Sequence, residues 1–222
     1  MIDRSKSDVP GGKAGAALDR HARRRERTRA KLIDAAEAVF ARQGVDNARI
    51  NDITEEADVG FGSFYNHFHS KEEIVEAVLE DTITAQGAAV SAVTADLEDP
   101  AETVAVAHRY FVELALRDPD WAWLLIRMDS HNVARAALAP FAERDIERGI
   151  KAGRFKVPNR RVALFSAGGA LLSVMRALLD GQVPKDAGRH HAEGVLRLLG
   201  LDREDAAEVA ARKMPKIDRL GR

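Results

Sequence analysis

The sequence predicts an all-α protein made of a small N-terminal helical domain and a larger C-terminal one. Hydrophobic residues make up 45% of the 222 residues and aromatic residues only 5%, and Ala and Leu dominate the apolar set. This composition indicates helices, because Ala and Leu favour helices while aromatic and β-branched residues favour strands. Apolar residues also recur at the spacing of an amphipathic helix, and no stretch alternates as a half-buried strand does.

The composition also argues against several classes of protein. The sequence contains no cysteine, so we expect neither disulfides nor thiolate chemistry. The absence of cysteine also fits the cytoplasmic location that we expect. We expect no apolar run to approach the roughly 20 residues that a membrane helix needs, and the N-terminus has no apolar signal core. Phosphate-binding loops, zinc motifs and nucleophile elbows are missing from the sequence. We therefore expect no enzyme activity, no cofactor and no metal.

A basic segment precedes an acidic one at the N-terminal end of the sequence. Residues 1–31 contain ten Lys and Arg against four Asp and Glu, whereas residues 32–80 contain three against eleven. A basic arm indicates an anionic partner, although a solvated tail that keeps the protein soluble would have the same composition. Because residues 1–18 are rich in Gly, Ser, Asp and Lys, we predict a flexible basic arm over residues 1–27.

Residues 28–80 are predicted to form a domain of three helices and the start of a fourth. Apolar side chains share one face of each helix, and Gly44 ends the first. Ser70 and Glu73 are expected to form the capping box of the fourth helix. The four helices are predicted over residues 32–43, 50–57, 61–68 and 71–93.

Residues 81–222 are predicted to form the larger helical domain. Pro100 is well placed in the first turn of a helix, Asp120 is expected to cap the next one, and Pro140 is expected to kink a third. The helix over residues 160–180 is apolar nearly all round, which indicates burial on more than one side. The helices are predicted over residues 100–117, 120–128, 132–152, 160–180 and 187–199, with a turn or two more after Asp202.

Two short helices with a three-residue turn between them fit a helix-turn-helix, in which the second helix enters the major groove of DNA. Residues 28–80 resemble the DNA-binding domain of the TetR family of transcriptional regulators. The resemblance is carried by Ile33 to Ala36, Phe40, Gly44, Asp52, Ile53, Ala57, Val59, Gly62 to Tyr65, His67, Phe68 and Ser70 to Glu73. It implies a homodimer that binds a palindromic DNA operator as a repressor and is released by a small apolar or amphipathic effector.

The resemblance places the DNA contacts on and around the second short helix. Tyr65 and Lys71 match positions that touch phosphates, Phe64 and Phe68 are expected to be core, and Gly62 is expected to let another backbone come close. The second helix contains no Arg or Lys, so it has no bidentate guanine contact to offer, and the basic arm is expected to attract DNA instead. The predicted DNA-binding residues are Arg29, Arg49, Gly60, Phe61, Gly62, Ser63, Tyr65, Asn66, His67 and Lys71.

The same resemblance implies an effector pocket and a dimer interface in the C-terminal domain. The candidate pocket residues are His108, Phe111, Trp121, Trp123, Leu124, Met128, Phe165 and Met175. The helices over residues 160–180 and 187–199 are expected to pair with a second copy as a four-helix bundle. The candidate interface residues are Gly168, Leu171, Val174, Leu178, Val195, Leu196 and Leu199.

Two alternatives stay open at this point. The helix over residues 160–180 could be the central helix of a monomeric bundle, in which case other helices of the same chain would bury its apolar surface. The protein could also be a constitutive DNA-binding regulator without an effector. A fully packed C-terminal core would favour that reading, whereas an open apolar cavity would favour a sensor.

Overall fold

The computed structural model describes the backbone of residues 12–127 and 131–217, and the side chains of residues 22–123, 125–126 and 137–217. Over these ranges the regular secondary structure consists of ten α-helices, which confirms the predicted fold class. The chain forms two compact units, residues 1–78 and residues 79–222, and passes from one to the other within the fourth helix.

The first unit contains α1 and the helix-turn-helix. Its helices are α1 (Gly12–Gln43), α2 (Ile50–Glu56), α3 (Phe61–Phe64) and the first two turns of α4 (Lys71–Val93). Its core is apolar and includes the predicted aromatic pair, with Leu32, Ala36, Val39, Ile53, Phe64, Phe68 and Ile74 all buried. Ser70 caps α4 as predicted: its Oγ accepts the Glu73 N–H at 3.2 Å, and the Glu73 carboxylate accepts the N–H of His69 at 2.6 Å.

Two predictions for this unit are wrong. The arm predicted as flexible is helical from Gly12 onward, in one helix with the packed residues of α1; residues 1–11 lie outside the described part. Ala, Arg, Lys and Glu are strong helix formers, and extending an anchored helix needs no new nucleus. The second short helix ends at Phe64 instead of Phe68, and the N–H groups of Asn66 and His67 bond carbonyls three residues back.

The second unit contains the remainder of α4 and six further helices. They are α5 (Pro100–Arg117), α6 (Pro119–Arg127), α7 (His131–Lys151), α8 (Arg160–Leu179), α9 (Ala187–Leu198) and α10 (Arg203–Ala211). Pro100 opens α5 as predicted, and α7 runs through Pro140. The predicted cap of α6 is off by two residues, because Asp118 and not Asp120 accepts the Trp121 N–H, at 3.2 Å. Asp118 precedes the proline, so its carboxylate reaches the first free N–H groups of α6.

The predicted all-round burial of α8 is also wrong for a single chain. One side faces the unit's core through Ala163, Leu171 and Met175, whereas Val162 on the other side is 61% exposed. Among the described helices, α8 is long and apolar enough to cross a bilayer, with a mean hydropathy of 1.8, and 28% of that window is buried. The expectation that no apolar run approaches the length of a membrane helix is therefore wrong, because α8 meets that length and composition. In a single chain, α8 presents an apolar face to solvent.

Candidate functional site

The surface around α3 presents aromatic side chains to solvent. Phe61 is 50% exposed and Tyr65 is 46% exposed, and their rings meet edge to face with centroids 5.6 Å apart. Phe64, fully buried beneath them, also contacts Tyr65 edge to face. Tyr65 is thus fixed from below with its outer edge free to reach a phosphate or a base edge, while Phe61 offers an apolar ring suited to a thymine methyl.

The two glycines of this surface leave it open. Gly60 is the N-cap of α3 and supplies no side-chain cap; its carbonyl accepts the Ser63 N–H at 2.7 Å. A Cβ added at Gly62 would meet no atom of the described chain within 4 Å. The close approach of another backbone expected at Gly62 is not found within the described chain. The space beside Phe61 is instead open to an outside molecule.

Two cations predicted to contact DNA, Arg49 and Lys71, lie at the starts of α2 and α4. The backbone N–H of Arg49 donates to the Asp52 carboxylate at 3.0 Å, and Gln43 donates to the same carboxylate at 2.8 Å. These two hydrogen bonds lower the pKa of Asp52. They fix the start of α2 while the Arg49 side chain stays exposed. Lys71 Nζ donates to the Asp46 carbonyl at 3.3 Å, which holds the ammonium at the start of α4.

A concave cationic surface lies where α1 passes the end of α3. It is lined by Arg24, Arg25, Thr28, Asn66 and His67, and we call it the α1 basic patch. Arg25 donates to the Asn66 carbonyl at 3.3 Å. The pKa of His67 is lowered by burial and then by the charges of nearby arginines, so at neutral pH the cationic charge of the patch comes from α1.

Sequence reasoning gave the basic arm the role of attracting DNA, but it singled out Arg29 and did not group Arg24, Arg25 and Thr28 into one surface. The Arg29 guanidinium instead lies 5.2 Å from the centroid of the Phe68 ring, so part of its role is packing. Positions 24, 25 and 28 share one face of a helix, but this spacing is informative only if α1 extends back through them. Because residues 1–27 were predicted to be flexible, the sequence did not indicate a shared face.

A cavity of about 240 Å³ lies in the second unit, surrounded by side chains of α4 to α9. Five predicted pocket residues line it: His108, Phe111, Trp121, Phe165 and Met175. Trp123 does not line it. The Leu124 side chain and Met128 lie outside the described residues. The walls also include residues that the sequence did not single out, among them Ile83, Gly87, Val90, Ser91, Leu125, Leu138, Asp145, Leu164 and Leu172.

Polar groups are few in this cavity. The indole Nε1 of Trp121 is buried and has no hydrogen-bond partner in the described chain. Asp145 is also buried, and Arg144 donates to its Oδ1 through Nε at 3.0 Å and Nη2 at 2.8 Å. Arg144 donates in addition to Ser91 Oγ at 3.0 Å. An apolar chamber with a few placed polar groups is the usual form of a small-molecule site.

His108 contributes to a neutral histidine pair beside the cavity. Its Nδ1 lies 2.9 Å from Nε2 of His191 on α9, so one ring donates and the other accepts. Burial lowers the pKa of His108 to about 3, aided by the proximity of His191, and burial lowers the pKa of His191 to about 4. The pair therefore joins α5 to α9 without carrying charge at neutral pH.

Most of the predicted dimer residues belong to the core of the second unit. Leu171, Leu178, Val195, Leu196 and Leu199 are all buried within the single chain, so their assignment to a partner surface is wrong. Apolar spacing marks both faces of α8 alike, and sequence alone did not show which face the unit itself covers. Val174 is half-buried and Gly168 is exposed.

The exposed apolar face of these helices is formed by other residues. Val162 and Phe165 lie on α8, and Leu198, 45% exposed, lies on α9. Added Cβ atoms at Gly168 and Gly169 would meet nothing within 4 Å in the described chain, so close approach by another helix is sterically open there.

Comparison with known proteins assigns both units. A family model described as "Bacterial regulatory proteins, tetR family" matches residues 32–78, and one described as "Tetracyclin repressor-like, C-terminal domain" matches residues 99–212. The chain belongs to the TetR family. As in that family, residues 32–78 form a DNA-binding helix-turn-helix domain of a transcriptional regulator, followed by a helical C-terminal domain.

Individual TetR-family proteins are similar to this chain over different lengths. The transcriptional regulator TtgR of Pseudomonas putida is 44% identical over 55 residues, or 25% of this chain and 26% of TtgR. The repressor KstR2 of Mycobacterium tuberculosis is 39% identical over 62 residues, 28% of this chain and 31% of KstR2. The chain thus matches less than a third of the length of these curated relatives. The sequence of RolR, whose crystal structure was solved with resorcinol, is 35% identical to this chain. The two structures match with a TM-score of 0.78 over 89% of this chain and 100% of the RolR chain.

Proposed function

We propose that this TetR-family protein is a cytoplasmic repressor that binds a palindromic operator as a homodimer and is released by a small amphipathic effector. The observation that carries the proposal is the cavity of about 240 Å³ in the same chain as the exposed recognition surface around α3. A constitutive DNA binder would have no use for an apolar chamber, because an unfilled cavity lowers stability.

The DNA half of the proposal assigns two kinds of contact. Phe61, Ser63 and Asn66 would meet base edges in the major groove, while Tyr65, Lys71 and Arg49 would hold phosphates. Residues 32–80 are net acidic, so the α1 basic patch would supply the attraction for the DNA backbone. The patch takes the place of the flexible arm in this role, with Arg24 and Arg25 presented from a helix.

The dimer half of the proposal assigns the exposed apolar face of α8 and α9 to a second copy. Val162, Phe165 and Leu198 would be covered there, and the open glycines would let the helices approach closely. Pairing α8 and α9 of two copies gives a four-helix bundle, the interface that the family resemblance implies. Covering this face also accounts for the high hydropathy of α8 without a membrane.

Release would be transmitted by α4. This helix begins in the DNA-binding unit at Lys71, and its later residues Ile83, Gly87 and Val90 line the cavity. A ligand that favours one position of α4 would shift the population of the two arrangements of the DNA-binding units. Half-sites on DNA are about 34 Å apart, so a shift of a few ångströms would break contacts in one of them. The complex of RolR with resorcinol supports a small-molecule role for the corresponding unit here.

The proposal is tested with the full chain and an operator identified by selection from random duplexes. Fluorescence anisotropy is expected to show tight, cooperative binding of two chains per duplex, and release when a small aromatic such as resorcinol is added. An operator affinity that no small aromatic alters would contradict effector control.

A variant tests the dimer. Val162→Glu with Leu198→Glu is expected to give monomers by analytical ultracentrifugation and to weaken operator binding at least tenfold, since a charge on each copy's apolar face opposes burial. Ile150→Glu, on an exposed apolar residue of α7, is the matched control and should remain dimeric. Dimers in the double variant would contradict the assigned interface.

A further inference from the structure

The cavity in the second unit has a definite chemical character, set by aromatic walls. Phe111, Trp121, Phe141 and Phe165 reach it from four different helices. Aromatic rings pack best against another flat ring, in stacked or edge-to-face arrangements. At about 240 Å³ the chamber is slightly smaller than the roughly 300–1,000 Å³ usual for ligand pockets, which suits a ligand of one or two rings better than a long acyl chain.

Asp145 provides a hydrogen-bond acceptor in this wall. Both bonds from Arg144 go to Oδ1, and Oδ2 accepts no hydrogen bond from any residue that the structure describes. An ionised carboxylate accepts hydrogen bonds and donates none. The group it would hold is therefore a donor, such as a hydroxyl. A second carboxylate placed at Oδ2 would meet a like charge that the Arg144 guanidinium on Oδ1 offsets only in part.

Trp121 provides the complementary donor. An indole N–H has no acceptor capacity, and leaving it buried without a partner costs roughly 1–3 kcal/mol. Within the described chain the Trp121 N–H is left in this state. Trp121 lines the cavity, and a ligand oxygen that reached its N–H would satisfy this group. A ligand that reached both side chains would therefore donate to Asp145 and accept from Trp121.

We infer that the effector is an uncharged hydroxyaromatic compound, with a hydroxyl that donates to Asp145 and an oxygen that accepts the Trp121 N–H. The inference rests on the proposed function, because it names the chemical class that the effector cavity takes. A purely apolar ring would leave both groups unpaired. An aromatic carboxylate would supply the acceptor but set its charge against Asp145.

Isothermal titration calorimetry of the full chain tests this with three matched probes. Resorcinol carries two hydroxyls, 1,3-dimethoxybenzene keeps the oxygens but has no donor, and 3-hydroxybenzoate replaces one hydroxyl with a carboxylate. Resorcinol is expected to bind at least about tenfold more tightly than either of the others, since a hydrogen bond to a charged group is worth more than a neutral one.

Two variants assign the contacts. Asp145→Asn is expected to weaken resorcinol binding about tenfold or more, and Trp121→Phe about fivefold, with little change for 1,3-dimethoxybenzene in the first. Trp123→Phe is the control, because Trp123 lies on the same helix without lining the cavity. Trp121→Phe should lower the melting temperature of the free protein no more than Trp123→Phe does, because both variants shrink a ring and the N–H lost at Trp121 is unpaired in the described chain. A larger loss for Trp121→Phe would indicate a role for that N–H in folding.

Three results would overturn the inference. They are equal or tighter binding of 1,3-dimethoxybenzene or 3-hydroxybenzoate, an unchanged resorcinol affinity in both variants, and no binding of resorcinol up to about 1 mM. Release of the operator by a compound of another class would overturn it while the proposed function stands. Resorcinol binding that follows the predicted pattern but leaves operator affinity unchanged would support the two assigned contacts and contradict effector control, and with it the role of the bound compound as effector.

Discussion

Replacing Arg24 and Arg25 by alanine is expected to flatten the salt dependence of operator binding. Both side chains are exposed on α1 and belong to the α1 basic patch beside the end of α3. Arg25 bonds a neutral carbonyl, and it pairs with no carboxylate among the side chains that the structure describes, so its charge remains available to a phosphate. Alanine preserves the helix, because it has the highest helix propensity of all residues.

The size of the effect follows from the number of phosphates neutralised. Each such contact contributes about 0.9 to the slope of log K against log salt concentration. Two arginines in each of two protomers make four contacts, so the slope should fall by about 3.6. Between about 50 and 200 mM salt, the wild-type protein should therefore lose about 150-fold more affinity than the double variant.

The assay is fluorescence anisotropy of a labelled operator duplex at a series of salt concentrations. Arg203→Ala with Lys213→Ala removes the same charge from exposed positions of the second unit and serves as the control. Its slope should match that of the wild-type protein. A double variant of α1 with the wild-type slope would refute the reasoning, since neutralised phosphates are the only source of the predicted difference.

Three further predictions concern stability. As pH falls from 6.5 towards 4, His108 and His191 become protonated in the unfolded chain but stay neutral in the folded one, because burial lowers their pKa values. The free energy of unfolding should therefore decrease, by about 3 kcal/mol for His191 alone. Gly149→Ala should destabilise the protein by about 1–3 kcal/mol, because the new Cβ would overlap the buried Phe155 ring. Ser70→Ala should cost about 1 kcal/mol through loss of the α4 cap. Chemical denaturation measures all three.

Matched variants separate these causes from general damage. His191→Gln keeps a hydrogen-bonding group but does not titrate, so it should flatten the pH dependence; an unchanged slope would contradict the assignment to the pair. Gly62→Ala has open space around its Cβ and should not destabilise, and equal losses at both glycines would contradict the overlap. Ser70→Thr keeps the cap oxygen and should retain most of the stability that Ser70→Ala loses.

The helix-turn-helix and its supports could be predicted from sequence because their signals are local. Phe64 and Phe68 have the four-residue spacing of a buried helix face, and both are in the core although α3 itself ends at Phe64. Ser70 and Glu73 form their hydrogen bonds within one turn of α4. Asp99 and Pro100 likewise start α5 through contacts only two residues apart. Neighbouring residues determine these features, so no tertiary information was needed.

Other features depend on which surfaces meet in three dimensions. Leu171 and Phe165 have similar hydropathy on one helix, yet the first is buried and the second half-exposed. Asp145 lies in a stretch of alternating charges, Glu143 to Glu147, that reads as a solvated face, but it is buried at a cavity. His191 pairs with a residue 83 positions away. Periodicity reports that a residue faces inward or outward and not what it faces.

In the proposed mechanism, a dimer holds two recognition surfaces at a fixed separation that the effector changes. The sequence has no cysteine, so a single Glu55→Cys substitution on exposed α2 gives one spin label per chain. Electron–electron double resonance is expected to show a narrow inter-label distance on operator DNA and a shift of several ångströms with resorcinol or whichever hydroxyaromatic releases the operator. The absence of any dipolar signal, or a distance that stays the same when the operator is released, would contradict the account.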